Sequence, residues 1–203
     1  MDSSDLYRDI TGFAHSTPGW VQHLAEIWTK NGLLVFGLLF VLVWWRARTR
    51  GDRAVALAVL APLATAAAYV ASEAVKATVH EDRPCRAVPG ALAPLVRCPA
   101  PGDWSFPSNH SVIAGAAAVA LALAVRRLAL LTVPLALLMA FSRVFVGVHY
   151  PHDVAMGLLL GASVGVLVVL ALTGAIHRII RSARTSGVRA AVLFTGPGPA
   201  PEG

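Results

Sequence analysis

The feature that most constrains the fold of this chain is a series of five apolar runs separated by polar segments. The spans they predict cover residues 27–45, 54–75, 111–125, 128–146 and 151–176. A bilayer requires about 20 apolar residues per helix. The first apolar run itself, 33–45, is shorter than this, so its span is extended back to residue 27; the third run is short as well. Backbone groups in lipid must be satisfied within the segment, so such spans form helices. The sequence therefore predicts an all-α integral membrane protein, a bundle of about five transmembrane helices.

Composition agrees with this class and argues against two others. Hydrophobic residues make up 56% of the 203 positions and charged residues 14%, which is too apolar for an ordinary soluble domain. The net charge of +6 is compatible with nucleic-acid binding. However, Trp and Phe lie in the apolar runs rather than among the basic residues, so we expect no nucleic-acid partner. The length is that of a single domain.

Basic residues predict the orientation in the membrane. They follow the first, third and fifth runs: Arg46, Arg48, Arg50 and Arg53, then Arg126 and Arg127, then Arg178, Arg181, Arg184 and Arg189. In a chain with five spans these segments share one face, and basic loops favour the cytoplasm. We therefore expect a multi-pass protein of the cell membrane with a cytoplasmic C-terminus. The loops after the second and fourth spans would face outward.

Three regions are predicted along the chain. Residues 1–30 would be an interfacial segment, in which 20–28 form either an amphipathic helix or a plain polar lead-in. Residues 31–182 would be the membrane domain that carries the chemistry. Residues 183–203 would be a cytoplasmic, largely disordered tail, since 196–201 alternate Gly, Pro and Ala.

One polar stretch stands at the start of the third run. In residues 105–111, Pro107 disfavours helix before it and Ser108 is a good N-cap for the helix that follows. A helix N-terminus presents free N–H groups to an anion, and His110 can donate a proton near neutral pH. The stretch suits a phosphate ester. A capped helix with a chance histidine is the alternative.

Further polar residues fall on the same outward face: Lys76, Arg83, Ser142, Arg143, His149 and Asp153. Ionisable groups at membrane depth are costly, so Lys76 and Arg143 indicate function. For Lys76 the alternative is an ion pair with Glu73, three residues earlier. For Asp153 the alternative is a charge that only stabilises a helix N-terminus.

Together these residues form three motifs that resemble those of the type 2 phosphatidic acid phosphatases, a superfamily that includes lipid phosphate phosphatases and vanadium haloperoxidases. The haloperoxidases are soluble and larger, so we do not expect this chain to be one. The motifs are Lys76 with Arg83-Pro84 after six residues, Pro107-Ser108-Asn109-His110, and Ser142-Arg143 with His149 and Asp153 at the family spacing. Asn109 departs from the usual Gly. A polar residue there is similar to bacterial undecaprenyl-diphosphate phosphatases. The family usually has six spans, so the N-terminal segment would replace one.

The resemblance implies a role for each residue. His149 would attack phosphorus and become a phosphohistidine, Asp153 would hold its other ring nitrogen, and His110 would protonate the leaving oxygen and then activate water. The expected phosphate-binding residues are Lys76, Arg83, Ser108, Asn109 and Arg143. Three fixed cations make a metal or other cofactor unnecessary, and no acidic cluster is evident to hold one. We expect His152 to point away from the ring partner of Asp153 and to support the site indirectly at most. His80, Glu81 and Asp82 would be solvated loop residues, and a pocket rim shaped by them is the alternative.

The substrate class follows from the same resemblance and from topology. We expect a membrane lipid phosphatase that cuts a polyprenyl diphosphate to the monophosphate and phosphate. Phosphatidylglycerophosphate or phosphatidic acid is the alternative substrate. A small membrane transporter or scaffold is the alternative without catalysis, although the polar groups cluster at one end and no inverted repeat is visible. Cys85 and Cys98 share the outward loop, where a disulfide is one of two open states.

Overall fold

A computed structural model of the protein describes residues 3–198, and this part of the chain contains helices and no strand. The α-helices are α1 Ser4–Ser16, α2 Gly19–Asn31, α3 Leu33–Ala47, α4 Asp52–Lys76, α5 Pro84–Ala87, α6 Asn109–Ala124, α7 Ala129–Phe145, α8 Pro151–Thr185 and α9 Arg189–Thr195. A short 3-10 turn, Arg126–Leu128, joins α6 to α7. The predicted all-α class is confirmed.

Three helical segments within residues 3–198 are long and apolar enough to cross a bilayer: Asp52–Lys76, Arg126–Phe145 and Pro151–Thr185. The predicted first span is divided, because α2 and α3 meet at Gly32 with a bend of 50° and pass the same test only as a pair. The predicted third span, α6, is apolar but has 16 residues. The membrane class is confirmed, and the count of five spans stays a prediction.

Helix α6 lies at the centre of the bundle, where it contacts α3, α4, α7 and α8. Glycines on α8 allow that helix to approach closely. A Cβ at Gly161 would collide with the Val112 carbonyl, and one at Gly157 would lie 2.8 Å from the Ser108 carbonyl oxygen. This contact brings the start of α6 beside the start of α8, which carries Asp153.

The N-terminal segment forms two helices, α1 and α2, and both pack against α7. Tyr7 and Ala14 of α1 are fully buried, and Thr29 of α2 is 1% exposed. Trp20, in contrast, is 67% exposed. The predicted helix at residues 20–28 thus lies inside α2, and its position at the membrane interface stays a prediction.

The basic segments meet at one end of the bundle. Arg184 Nη1 lies 2.7 Å from Asp52 Oδ1 and donates to the Arg50 carbonyl at 3.0 Å. A shared cavity joins Arg46 and Arg50 to the turn between α6 and α7. The three arginine-rich loops therefore do occupy one face, as the alternation of spans predicts.

The C-terminal region differs from the predicted disordered tail over most of its described length. Helix α8 continues to Thr185, and α9 packs against α8. The Phe194 ring of α9 lies 5.5 Å from the Trp44 ring, and Arg184 Nη2 donates to the Thr195 carbonyl at 2.8 Å. Residues 199–203, the rest of the predicted tail, lie outside the described residues.

Candidate active site

The residues of the three motifs meet at the end of the bundle opposite the basic loops, where several helices begin or end. Each is placed by a helix terminus: Lys76 ends α4, Arg83 precedes α5, Ser108 precedes α6, Asn109 and His110 open it, Arg143 lies in the last turn of α7, and His149 and Asp153 flank the start of α8. Lys76, Arg83, Ser108, Arg143, His149 and Asp153 are all buried.

His149 is held on both sides of its ring. Nε2 lies 2.8 Å from Arg83 Nη1, and Nδ1 lies 3.2 Å from Asp153 Oδ2. An arginine can only donate, so Nε2 accepts this bond and carries no proton. The Nδ1–H then donates to Asp153. Burial lowers the pKa of His149 to about 3; the bond to Asp153 opposes this shift, and the charges of Arg83 and Arg143 reinforce it.

The Asp153 carboxylate is fixed by its own neighbours. Oδ2 accepts hydrogen bonds from Ser105 Oγ at 2.5 Å and from the Tyr150 backbone N–H at 2.8 Å, besides the His149 contact. The Tyr150 bond is a cap for the N-terminus of α8. One carboxylate therefore starts the helix and orients the imidazole, so the two roles weighed for Asp153 coexist.

Arg83 is bound through three of its nitrogens. Nε donates to the Asp103 carbonyl at 2.9 Å, Nη1 to the Val148 carbonyl at 3.1 Å as well as to His149, and Nη2 to Asp103 Oδ1 at 2.8 Å. Arg83 is 3% exposed, and these bonds fix its guanidinium in an orientation that directs Nη1 at His149.

Asp103 was not predicted from the sequence. Its carboxylate also lies 3.7 Å from Lys76 Nζ, so it bridges two cations predicted to bind phosphate. Burial raises the pKa of the Asp103 carboxyl, but the hydrogen bond and charge of Arg83 and the charge of Lys76 outweigh it and leave the pKa below its usual value. Glu73 does not take the place of Asp103, because its carboxylate accepts a hydrogen bond from Asn109.

Arg143 contacts the N-terminal segment. Nη1 donates to Thr29 Oγ1 at 2.8 Å, whereas Nε is buried without a partner among residues 3–198. The His110 side chain makes no hydrogen bond within the same described part of the chain. Its ring interacts electrostatically with Arg143, His149, Arg83 and Lys76. His110 therefore lies near His149 and near all three cations.

The side chains of Ser108 and Asn109 are hydrogen-bonded to neighbouring polar residues, and not to the three cations. Ser108 is the N-cap residue of α6, and its hydroxyl accepts a hydrogen bond from Ser111 at 3.2 Å rather than capping the helix. The Asn109 amide is bound to α4, with Nδ2 2.6 Å from Glu73 and Oδ1 2.7 Å from Ser72. The Ser108 backbone N–H donates to the Asp153 carbonyl at 3.2 Å. Of the two residues, this leaves the backbone N–H of Asn109, at the helix start, for an anion.

His152 has closer neighbours than the sequence indicates. Its Nε2 lies 3.0 Å from Glu81 Oε1 and 3.4 Å from Asp153 Oδ1, and its Nδ1 lies 2.8 Å from Ser3 Oγ. In the described residues, Glu81, His152 and Asp153 have ligand atoms within 4.8 Å of one another, a spacing that could hold a cation. The sequence shows no such cluster because Glu81 and His152 are 71 positions apart.

The loop that precedes the site is closed by a disulfide between Cys85 and Cys98. This resolves the two states that the sequence leaves open. The bridge links α5, which directly follows Arg83, to the segment that leads to Asp103 and Ser105. It thereby restrains the loop that supplies Arg83 and Ser105 beside His149 and Asp103 beside Arg83.

Asp103, Ser105 and Thr29 lie at the site but were not among the residues predicted to act there, although Ser105 belongs to the polar stretch 105–111. Ser105 stands two residues before the middle motif, so proximity could have suggested it. Thr29 and Asp103 carry no local signal, since each reaches the site only through the packing of distant segments.

Comparison with known proteins agrees with the three motifs. The model of the PAP2 superfamily matches residues 57–176. The chain is 42% identical over 83 residues to an undecaprenyl-diphosphatase of Sulfolobus acidocaldarius, covering 40% of each protein. It is 40% identical over 111 residues to a decaprenylphosphoryl-5-phosphoribose phosphatase of Mycobacterium tuberculosis, covering 52% of this chain and 58% of the relative. The matched stretch is thus less than two thirds of either relative.

The fold is also that of a solved structure. The crystal structure of Aquifex aeolicus LpxE superposes with a TM-score of 0.61 at 22% identity, covering 82% of this chain and 93% of that chain. The family model covers more than half of the chain and includes all three motifs. The predicted family is confirmed: the chain belongs to the PAP2 superfamily.

Proposed function

We propose that this protein is a membrane lipid phosphatase that uses His149 as its nucleophile. The observation that carries the proposal is the environment of His149: an unprotonated Nε2 beside Arg83, with Nδ1 held by the buried Asp153. Phosphoryl transfer requires positioning and cationic stabilisation of the equatorial oxygens. Lys76, Arg83 and Arg143 supply three positive charges for those oxygens, and the two arginines can donate through paired N–H groups.

The reaction would proceed in two displacements. Nε2 of His149 forms a bond to phosphorus while the bond from phosphorus to the leaving oxygen breaks, and His110 gives that oxygen its proton. Asp153 stabilises the imidazolium character that develops on the ring. His110, now neutral, removes a proton from water, which attacks phosphorus and breaks the bond to His149. Phosphate leaves, and both histidines return to their starting states.

The substrate we propose is a polyprenyl diphosphate, converted to the monophosphate and inorganic phosphate. Two relatives that act on polyprenyl phosphates by name, the undecaprenyl-diphosphatase and the decaprenylphosphoryl-5-phosphoribose phosphatase, support a long isoprenoid chain. The diphosphate within that class is supported by the resemblance of the motif, with a polar residue at Asn109, to bacterial undecaprenyl-diphosphate phosphatases, and not by a contact of the Asn109 amide, which is bound to Ser72 and Glu73. Phosphatidylglycerophosphate and phosphatidic acid would meet the same cations, so they are the substrates to compare.

The proposed site faces outward. The basic loops lie at the other end of the bundle, and a positive face favours the cytoplasm. A disulfide in the loop beside the site is also typical of an oxidising compartment. Both observations favour a cell-membrane protein that acts on lipid headgroups of the outer leaflet and has a cytoplasmic C-terminus.

The substrate is tested by comparing kcat/KM in one detergent for four lipids: polyprenyl diphosphate, a polyprenyl phosphosugar phosphate, phosphatidylglycerophosphate and phosphatidic acid. The proposal expects the highest value for the diphosphate. A higher value for any other lipid would replace the substrate but keep the chemistry. Absence of phosphate release from all four would favour the transporter or scaffold instead.

A further inference from the structure

Thr29 connects the N-terminal segment to the proposed phosphate site. Its hydroxyl lies 2.8 Å from Arg143 Nη1, and its side chain is almost completely buried on α2. Residue 29 lies outside residues 57–176, which carry the family match, and 114 positions away from Arg143. The contact therefore ties the N-terminal helices, which the family model does not cover, to one of the motif residues.

The contact matters because Arg143 has little else to orient it. A guanidinium carries five N–H donors, and buried donors are normally paired. Within residues 3–198, the bond to Thr29 is the single hydrogen bond of the Arg143 side chain, and its Nε is buried and unpaired. An arginine that is 9% exposed and has free donors is ready to bind an anion. Among residues 3–198, Thr29 is thus the hydrogen-bond partner available to orient those donors.

The N-terminal segment also touches the turn that follows Arg143. The Tyr7 hydroxyl on α1 donates to the Gly147 carbonyl at 3.0 Å. Gly147 has a φ of +83°, a conformation that side chains disfavour, and it begins the turn that leads to His149. Burial, together with the nearby Tyr150, raises the pKa of Tyr7 to about 12, so the hydroxyl remains a donor at physiological pH.

We infer that Thr29 is a positioning residue for the reaction, which aims the Arg143 fork at the phosphoryl group and makes α2 part of the active site. The inference rests on the proposed function. A threonine that only filled space would be replaced by valine without loss, because the two side chains have nearly the same shape. A threonine that holds Arg143 through its hydroxyl would be replaced by serine instead.

The test compares Thr29→Val, Thr29→Ser and the matched control Thr11→Val in purified full-length protein. Thr11 is also a buried threonine of the N-terminal segment, but its hydroxyl donates to the Tyr7 carbonyl of its own helix. We measure kcat/KM for lipid phosphate hydrolysis, the inhibition constant of inorganic phosphate and the thermal midpoint. Thr29→Val should lower kcat/KM and weaken phosphate inhibition about tenfold, as expected for loss of one hydrogen bond to a charged group. Thr29→Ser should keep kcat/KM and the inhibition constant of phosphate within about threefold of the wild-type values.

A double variant separates orientation from general damage. In an Arg143→Gln background, Thr29→Val should change phosphate inhibition little, because the group that it orients is absent. If Thr29→Val does not fold, Thr29→Ala is measured against the same serine variant and control. The inference is overturned if Thr29→Val leaves phosphate inhibition unchanged, if serine does not restore it, or if Thr11→Val has the same effect. Wild-type protein that neither releases nor binds phosphate would instead overturn the proposed function.

Discussion

Arg83 Nη1 lies 2.8 Å from His149 Nε2, so the guanidinium donates to the ring atom that we propose as the nucleophile. The same arginine donates to Asp103 through Nε and Nη2. Four of its five N–H groups are engaged, so a phosphate that accepts paired donors from this fork must take over at least one of them. A phosphate that takes the Nη1 donor from His149 would expose the lone pair of Nε2 as phosphorus arrives beside it.

Arg83→Lys tests the fork. A lysine keeps the charge but cannot make parallel hydrogen bonds, so we expect kcat/KM to fall by about 10- to 100-fold, the range for loss of a hydrogen bond to a charged group. Arg97→Lys, at an exposed position in the same loop, serves as the control and should leave kcat/KM unchanged. Equal activity of wild type and Arg83→Lys would show that paired donors at residue 83 are not used.

Asp103→Asn tests competition inside the site. The Asp103 carboxylate forms ion pairs with Arg83 and Lys76, to which a phosphate would otherwise bind. Its removal should strengthen inhibition by inorganic phosphate roughly two- to fivefold, in keeping with the modest energy of a partly exposed ion pair. Asp82→Asn removes an exposed carboxylate nearby and controls for net charge. Weaker phosphate inhibition in Asp103→Asn would mean that Asp103 supports Arg83 rather than competes for it.

The protonation of His149 gives a prediction in pH. Burial lowers its pKa from 6.5 to about 3, so in the folded protein the ring stays neutral well below pH 6.5. Nitrogen-15 NMR of histidine-labelled protein, with the His149 signal identified by its loss in His149→Gln, should show no titration of this ring down to about pH 5. A midpoint near 6.5 would contradict the prediction.

The same shift affects stability. The unfolded chain takes up a proton at His149 below its ordinary pKa, whereas the folded chain does not, so protonation favours unfolding. This contribution to the free energy of unfolding is complete above pH 6.5 and decreases as the pH falls from 6.5 toward 3. Chemical denaturation of wild type and His149→Gln at about pH 7 and about pH 5 should show a smaller pH effect in the variant.

Metal removal tests the proposed cation chemistry. Three side-chain cations surround the proposed phosphate site, so activity should persist in excess EDTA within about twofold. Glu81→Gln provides the control, since it removes one ligand from the group formed by Glu81, His152 and Asp153. Loss of activity in EDTA, together with loss in Glu81→Gln, would instead assign a required metal to that group.

The packing of α8 on α6 is tested by Gly161→Val. The added side chain would overlap the Val112 carbonyl, and such overpacking typically costs about 1–3 kcal/mol. We expect a lower thermal midpoint and lower activity, because the starts of both helices carry site residues. Gly174→Ala on the same helix, where a Cβ meets no atom within 4 Å, should not lower the midpoint.

Much of the fold follows from the sequence for a simple physical reason. Apolar runs of sufficient length have few alternatives to membrane helices, so α4, α7 and α8 appear where predicted. The spacing of the motifs relative to helix ends likewise brings Lys76, Arg83 and His149 to one face. Helix lengths were harder, because α8 continues past the apolar run to Thr185 and α3 breaks from α2 at Gly32.

The remaining parts of the site depend on contacts between distant segments. Thr29 reaches Arg143 through the packing of α2 on α7, and Asp103 reaches Arg83 through a loop closed by the disulfide. Neither residue belongs to a periodic pattern or a motif. Asn109 illustrates the converse: its place in a motif predicts phosphate binding, whereas its amide is bound to Ser72 and Glu73.

The proposed mechanism requires that His149 become covalently phosphorylated, and trapping this phosphoenzyme is the decisive experiment. A substrate with a good leaving group, such as an aryl phosphate, needs no acid, so His110→Ala should slow only the water step and let the phosphoenzyme accumulate. Mass spectrometry of quenched protein should locate an acid-labile phosphate on His149 in His110→Ala and none in His110→Ala/His149→Gln. Phosphate on another residue, or undiminished turnover by His149→Gln, would contradict the account.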